Sequence, residues 1–303
     1  MFWKKLLLVS ASGIVLAALS GGVFALIEAS AFDASVDKDY GIAPLDIHAV
    51  TDPAVIARGK HIAETFGGCL GCHGDDLGGK PGEDIGPLGE VPAPNLTRGQ
   101  GGVADRYSDG ELARLLRHGV RSSGKSLRFM PAQDTSWLPD DDVQAVISFV
   151  RSAPPVDRTI AETRIGLLGK ILDGLDAIPL DVARRIDHAE PRPKTLPAQP
   201  TAEYGAKLAR ACIGCHGQHF SGGPIPGAPS ELPIPANLTP HETGLAALSE
   251  ADWNRILDTG IKRSGVPINS FMPIDALRAM NAAERGALYS FLRALPPRPF
   301  GER

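Results

Sequence analysis

The chain has 303 residues, a length that favours two domains, and 43% of them are hydrophobic and 22% charged. These proportions are ordinary for a folded soluble protein, so they exclude a largely disordered chain and a polytopic membrane protein. The formal net charge of −4 provides no basic field of the kind that nucleic-acid binding requires, so we expect no nucleic-acid partner.

The N-terminal segment, residues 1–31, predicts export across a membrane. Residues 6–27 carry no charge and follow Lys4 and Lys5. A helix of this length crosses a bilayer core of about 30 Å, and the two lysines favour an orientation that exports the rest of the chain. The small residues at 29–31 also fit a signal-peptidase site. The segment therefore predicts either an inner-membrane anchor with the domains facing the periplasm, or a signal whose cleavage releases a soluble periplasmic protein.

The rest of the chain is a tandem repeat. CLGCH, PAPNLT, HGVRSSG and FMP are followed in the same order by CIGCH, IPANLT, TGIKRSG and FMP. Self-similarity of this kind is the mark of duplicated structural units. We therefore predict two tandem domains, residues 50–155 and 199–303, joined by a structured linker, residues 156–198.

Each repeat predicts three helices and no sheet, so the expected fold class is all-α. The first helix should begin near Pro53 or Thr201 and run into CxxCH. The second should follow the N-cap candidates Ser108 or Ser249 and end at a glycine. The third has apolar residues at spacings of three and four and should stop at a Pro-Pro pair.

The linker has an apolar stripe of its own at helical spacing: Ile165, Leu168, Leu172 and Leu175. We expect a helix packed against one or both domains, with contact to a membrane surface as the alternative.

The four cysteines form two CxxCH segments: Cys69, Cys72 and His73, and Cys212, Cys215 and His216. The two thiols of such a segment can bond to the vinyl groups of a porphyrin while the histidine ligates the iron. We therefore predict two covalently bound haem c groups with these histidines as proximal ligands. A zinc site shared by both pairs explains the duplication less well, and disulfides or a thioredoxin-like dithiol leave the histidines unexplained.

Met130 and Met272 occupy the same place in the two FMP segments. A thioether suits haem iron, and a methionine that only fills a core has no reason to precede proline twice, so we predict both as distal ligands. The alternative is that both are core residues. Histidines without a repeat counterpart are assigned no role: His61, His118, His219 and His241.

Together, CxxCH, PNLT, the helix ending in glycine, Met-Pro and the final helix with LPP resemble class I type cytochrome c domains. Such domains occur in the cytochrome subunits of membrane-bound alcohol, aldehyde and gluconate dehydrogenases, which usually carry three haems, whereas this chain has motifs for two. The resemblance covers both repeats and leaves the linker unmatched.

The resemblance implies an electron-transfer protein rather than an enzyme. We expect electrons from a periplasmic or membrane-bound dehydrogenase to pass to a cytochrome or terminal oxidase. The alternative is a dihaem enzyme, either a peroxidase or a thiosulfate-oxidising cytochrome. Catalysis at iron requires an open coordination position, and both halves have a methionine to close it.

Overall fold

The computed structural model describes residues 2–82, 84, 86–226, 228 and 231–303, with side chains from residue 19 onward. The described part is mostly helical, as predicted. Its paired strands are short: β1 (Gly89–Glu90) runs antiparallel to β2 (Arg164–Ile165). The structure therefore confirms the all-α class.

Helix α1 (Phe2–Val36) is continuous and its last turns pack into the folded part of the chain. Phe32 and Val36 are buried, and Lys170 forms an ion pair with Asp33 at 2.6 Å. Among the residues with described side chains, the stretch 19–36 is long and apolar enough to cross a membrane. The side chains of residues 6–18, which belong to the predicted apolar run, lie outside the described residues.

The helices of the two repeats follow the same order along the chain. The first repeat has α2 (Pro53–Glu64), α3 (Cys69–His73), α4 (Asp109–His118), α5 (Ala132–Thr135) and α6 (Asp140–Ser152). The linker contributes α7 (Leu167–Gly174). The second repeat has α8 (Ala202–Leu208), α9 (Ile213–His216), α10 (Glu250–Thr259), α11 (Ile274–Ala279) and α12 (Ala282–Ala294). Short 3₁₀ segments lie at Gly86–Leu88, Ala104–Arg106, Ala183–Arg185 and Ala209–Cys212.

The predicted boundaries of the second helix are confirmed in both repeats. Ser108 and Ser249 are the N-caps of α4 and α10, and each forms a capping box with the acidic residue three positions later. Gly119 and Gly260 end these helices at φ values of 63° and 68°, a left-handed conformation that glycine adopts without a steric penalty.

The prediction that the first helix runs into CxxCH is wrong for the first repeat. Helix α2 ends at Glu64 with Thr65 as its C-cap, and two glycines that the second repeat lacks separate it from α3. Gly68 has a φ of 62°, which breaks the helical path. In the second repeat, α8 continues through a 3₁₀ segment into α9, because no glycine interrupts it.

The linker helix packs chiefly against α1 and also touches the first repeat. Gly169 of α7 lies against the carbonyl of Leu88. Ile165, the first residue of the predicted stripe, lies in β2 instead of the helix, whereas Leu168 and Leu175 are exposed. The expected linker helix is present, but its main contact is α1 instead of either domain.

In each repeat the first helix crosses the last helix at a glycine. Gly59 of α2 faces Ala145 of α6, and Gly205 of α8 faces Ala287 of α12. A Cβ atom at Gly59 would lie 1.9 Å from the carbonyl oxygen of Ala145, and one at Gly205 would lie 2.0 Å from that of Ala287. The backbones of the paired helices therefore approach too closely for any side chain.

We expect Gly59→Ala and Gly205→Ala each to lower the free energy of unfolding by about 2 kcal/mol, because the helices must move apart to admit a methyl group. Thermal or denaturant unfolding measures the loss. Lys60→Ala, at the next position on the exposed face of α2, should change stability by less than about 0.5 kcal/mol. Equal effects from Gly59→Ala and Lys60→Ala would contradict the close crossing.

Candidate functional site

The CxxCH histidines are buried, and both use Nδ1 to bind a backbone carbonyl. His73 Nδ1 lies 2.9 Å from the oxygen of Pro94, and His216 Nδ1 lies 2.8 Å from that of Ala236. Because a carbonyl oxygen only accepts hydrogen bonds, Nδ1 carries the proton and Nε2 keeps its lone pair. Among the described residues, neither Nε2 atom has a hydrogen-bond partner. Burial lowers the pKa of both imidazoles, so they are neutral and able to ligate a metal.

The four cysteines are free thiols in this structure. Burial raises the pKa of Cys69 to about 11 and that of Cys212 to about 12. Reactive dithiols depend on a lowered thiol pKa, so this environment disfavours a thioredoxin-like role. Among the residues that the structure describes, no three or more His, Cys, Asp or Glu side chains are grouped to hold a metal ion, which gives a shared zinc site no support.

A buried asparagine holds the carbonyl that orients His73. Asn95 Oδ1 accepts hydrogen bonds from the backbone nitrogen and the hydroxyl of Thr97. Asn95 Nδ2 donates to the carbonyl of Val156 at 2.7 Å. This asparagine therefore ties the loop containing Pro94 to the chain that leaves α6.

The second repeat reproduces this arrangement. Asn237 Oδ1 accepts from the backbone nitrogen and the hydroxyl of Thr239, and Nδ2 donates to the carbonyl of Arg298 at 2.8 Å. Residues that orient a ligating histidine through its second nitrogen affect the metal site although they never touch the metal. The PNLT segments marked the repeat in the sequence, but they did not show this role, because its partners lie some 60 residues further along the chain.

The two methionines lie at equivalent places, each followed by a proline that begins a short helix. Met130 precedes Pro131 and α5, and Met272 precedes Pro273 and α11. Both are half-buried, and Met130 packs against the main core. The same core contains Met280, which is 5% exposed.

The residues present fit a haem c group. Each repeat offers two unpaired thiols on one helical turn, an imidazole with an available Nε2, and a methionine in an equivalent loop. In addition, the indole nitrogen of Trp253 and the hydroxyl of Ser221 are buried without a hydrogen-bond partner among the described residues. Such atoms are commonly satisfied by water or by a bound group, and both of these belong to the second repeat.

Comparisons with known families agree with this chemistry. Residues 54–150 match the model of cytochrome c oxidase, cbb3-type, subunit III, and residues 202–296 match the cytochrome c model. The chain contains two cytochrome c domains in tandem. Cytochrome c domains carry electrons by means of haem c.

Known relatives include cytochrome subunits of dehydrogenases. The chain is 30% identical over 112 residues to the cytochrome c subunit of alcohol dehydrogenase (quinone) from Gluconacetobacter polyoxogenes, and equally to that of Komagataeibacter europaeus. It is 26% identical over 119 residues to the fructose dehydrogenase cytochrome subunit of Gluconobacter japonicus. The matches cover 35–36% of this chain and 23–24% of the relatives, so the chain matches less than a quarter of their length.

A buried ionic cluster joins the two cytochrome c domains. Glu284 of α12 is fully buried, and its carboxylate lies 2.8 Å from Nε2 of His61 and 3.4 Å from Arg58, both on α2. Burial raises the pKa of Glu284, but the hydrogen bond with His61 and the charge of Arg58 outweigh burial and hold the pKa below its ordinary value. The sequence had left His61 without a role, because its partner lies in the other domain.

The contacts across the junction are reciprocal. Helix α5, which follows Met130, packs against the 3₁₀ segment that contains Cys212, and α11, which follows Met272, packs against α2. The Trp137 ring lies 6.1 Å from that of Tyr204 across the junction. The short helix after the methionine of each domain therefore lies beside the helical segment that leads to CxxCH in the other domain.

We expect Asn95→Ala to destabilise the first domain by about 2 kcal/mol, because it leaves the buried Thr97 amide unpaired and removes the shorter hydrogen bond to the Val156 carbonyl. The measurement is unfolding together with the absorption spectrum and potential of each haem. Asn237→Ala is the matched control, since it should alter the other domain. If both variants perturbed the same haem, the proposed orientation of His73 through Asn95 would be wrong.

We expect Glu284→Ala to cost about 3 kcal/mol, because it removes the buried partner of His61, weakens the pairing of Arg58 and breaks a capping box. Glu284→Gln keeps a hydrogen-bonding group at that position and should cost less. A carboxylate with a lowered pKa stabilises the fold above its unfolded pKa, and the stabilisation disappears as the pH falls through the folded value. Stability measured against pH should therefore lose part of its acid dependence in Glu284→Gln, and an unchanged profile would contradict this assignment.

Proposed function

We propose that this chain is a dihaem c-type cytochrome that transfers electrons in a periplasmic or membrane respiratory chain. Its donor would be a dehydrogenase, and its acceptor a downstream cytochrome or an oxidase. The observation that carries this proposal is the repeated buried histidine, whose Nδ1 is bound to a backbone carbonyl and whose Nε2 is available. The similarity to dehydrogenase cytochrome subunits supports the choice of donor.

The proposed ligands follow the repeat. The first domain, residues 50–155, would attach its haem through Cys69 and Cys72, with His73 and Met130 as axial ligands. The second, residues 199–303, would use the corresponding set: Cys212, Cys215, His216 and Met272. Bound haem iron supplies the one-electron chemistry, while the chain provides the axial ligands and orients the histidines.

We also infer that α1 is retained as a membrane anchor, with both domains in the periplasm. The helix continues without a break through residues 29–31, and contacts on both sides of that stretch hold it. The carboxylate of Glu28 lies against Gly174 of α7, while Phe32 and Val36 are buried. A signal that is removed would have no need of a contact at residue 28.

We expect Met130→Ala and Met272→Ala each to abolish thioether ligation at one haem and to open that iron to carbon monoxide. Pyridine haemochrome assay, optical spectra and electron paramagnetic resonance of the purified protein measure haem number and ligation. Met280→Leu, a buried core position, is the matched control and should leave both spectra unchanged.

Two low-spin haems that bind no carbon monoxide in the unsubstituted protein would support an electron carrier. A high-spin haem, or rapid carbon monoxide binding by one centre, would contradict a permanent methionine ligand. In that event a dihaem enzyme would replace the carrier as the leading hypothesis.

A further inference from the structure

The two domains differ on one face, the loop between the end of the second helix and Phe-Met-Pro. We call this the methionine face; it comprises residues 119–130 in the first domain and 260–272 in the second. In the first domain the linker covers part of it. Val120 is 0% exposed, and Val182 and Ile186 of the linker lie against Gly119.

The linker also pairs with the backbone of this loop. The amide nitrogen of Phe129 donates to the carbonyl of Leu180 at 3.0 Å, and the amide of Val182 donates to the carbonyl of Leu127 at 3.2 Å. The chain itself thus seals this part of the first methionine face.

The second methionine face is not covered by the linker, and it exposes three apolar side chains among polar ones. Ile261, the counterpart of Val120, is 39% exposed, while Val266 and Phe271 are 53% and 51% exposed. Val266 stands where the first domain has Lys125, which forms an ion pair with Asp37. Ile261 and Val266 are therefore exposed apolar residues where the first domain has a buried valine and a paired lysine. Phe271 is exposed in both domains, since its counterpart Phe129 is 46% exposed.

The open loop satisfies its own backbone. The amide nitrogen of Phe271 donates to the side chain of Asn269 at 2.9 Å, whereas the equivalent amide in the first domain needs the linker. The loop of the second domain is one residue longer than that of the first. The second loop therefore does not need the linker to pair this amide. A surface of this kind can remain exposed and bind partners transiently.

We propose that the second methionine face, formed by Ile261, Val266 and Phe271, docks an external redox protein that presents an apolar contact flanked by an acidic group. The inference rests on the proposed function, because a protein seated there lies beside Met272. The exposed Lys262 of this loop forms no ion pair among the described residues, so it is available to an acidic group of the partner. The second domain is thus the one that exchanges electrons with that partner.

The test uses the full-length chain, loaded with haem and reconstituted in nanodiscs. Stopped-flow absorbance measures the oxidation of a reduced acidic blue-copper protein by the chain. Val266→Asp places a carboxylate on this face, and we expect a rate constant about tenfold lower, because a like charge now opposes docking. Lys262→Glu should lower the rate constant in the same way and weaken its dependence on ionic strength.

Two controls separate docking from damage. Leu168→Asp introduces the same charge at a residue of α7 that is 40% exposed, and it should leave the rate constant within about twofold. Reduction by hexaammineruthenium(II), which needs no protein docking surface, should be equal in all variants.

The proposal is overturned if Val266→Asp and Leu168→Asp behave alike while both haem spectra remain intact. It is also overturned if the chain forms dimers in analytical ultracentrifugation that Val266→Asp disrupts, since the face would then serve a second copy. Failure of the proposed function has a different signature, namely the absence of two low-spin haems in the unsubstituted protein.

Discussion

The close crossing of the first and last helices is the constraint on which each domain depends. Gly59 and Gly205 allow the paired backbones to meet, which brings the chain leaving the last helix back towards the CxxCH segment. Asn95 and Asn237 then tie that returning chain to the loop whose carbonyl binds the histidine. A contact between two helices is thereby connected, through one asparagine side chain, to the orientation of the CxxCH histidine, the proposed iron ligand.

The junction between the domains combines apolar packing with a buried charge that must stay paired. Glu284 completes the capping box of α12 and also pairs with α2 of the other domain. Its loss therefore affects a helix and an interface together. Buried ion pairs add little net stability over apolar packing, but they penalise arrangements in which a partner is missing. This cluster therefore favours one relative placement of the domains, as the proposed transfer of electrons between two haems would require.

The duplication produced two similar domains in different surroundings. The linker and the end of α1 cover part of the first domain, whereas the corresponding loop of the second domain carries its own asparagine and exposed apolar side chains. The same fold can therefore support one domain held against α1 and the linker and another whose corresponding loop is exposed.

The sequence by itself determined the repeat, the capped helices after Ser108 and Ser249, and the residues proposed to hold haem, because these depend on local spacing and side-chain chemistry. The sequence-based prediction extended the first helix of the first repeat into CxxCH. The structure ends that helix before Gly67 and Gly68, because turn geometry there overrides helix propensity. Only the tertiary structure decided the partners of His61 and Asn95 and the unequal exposure of Val120 and Ile261. Those features depend on residues distant in the chain, and spacing within a motif holds no information about which distant residues meet.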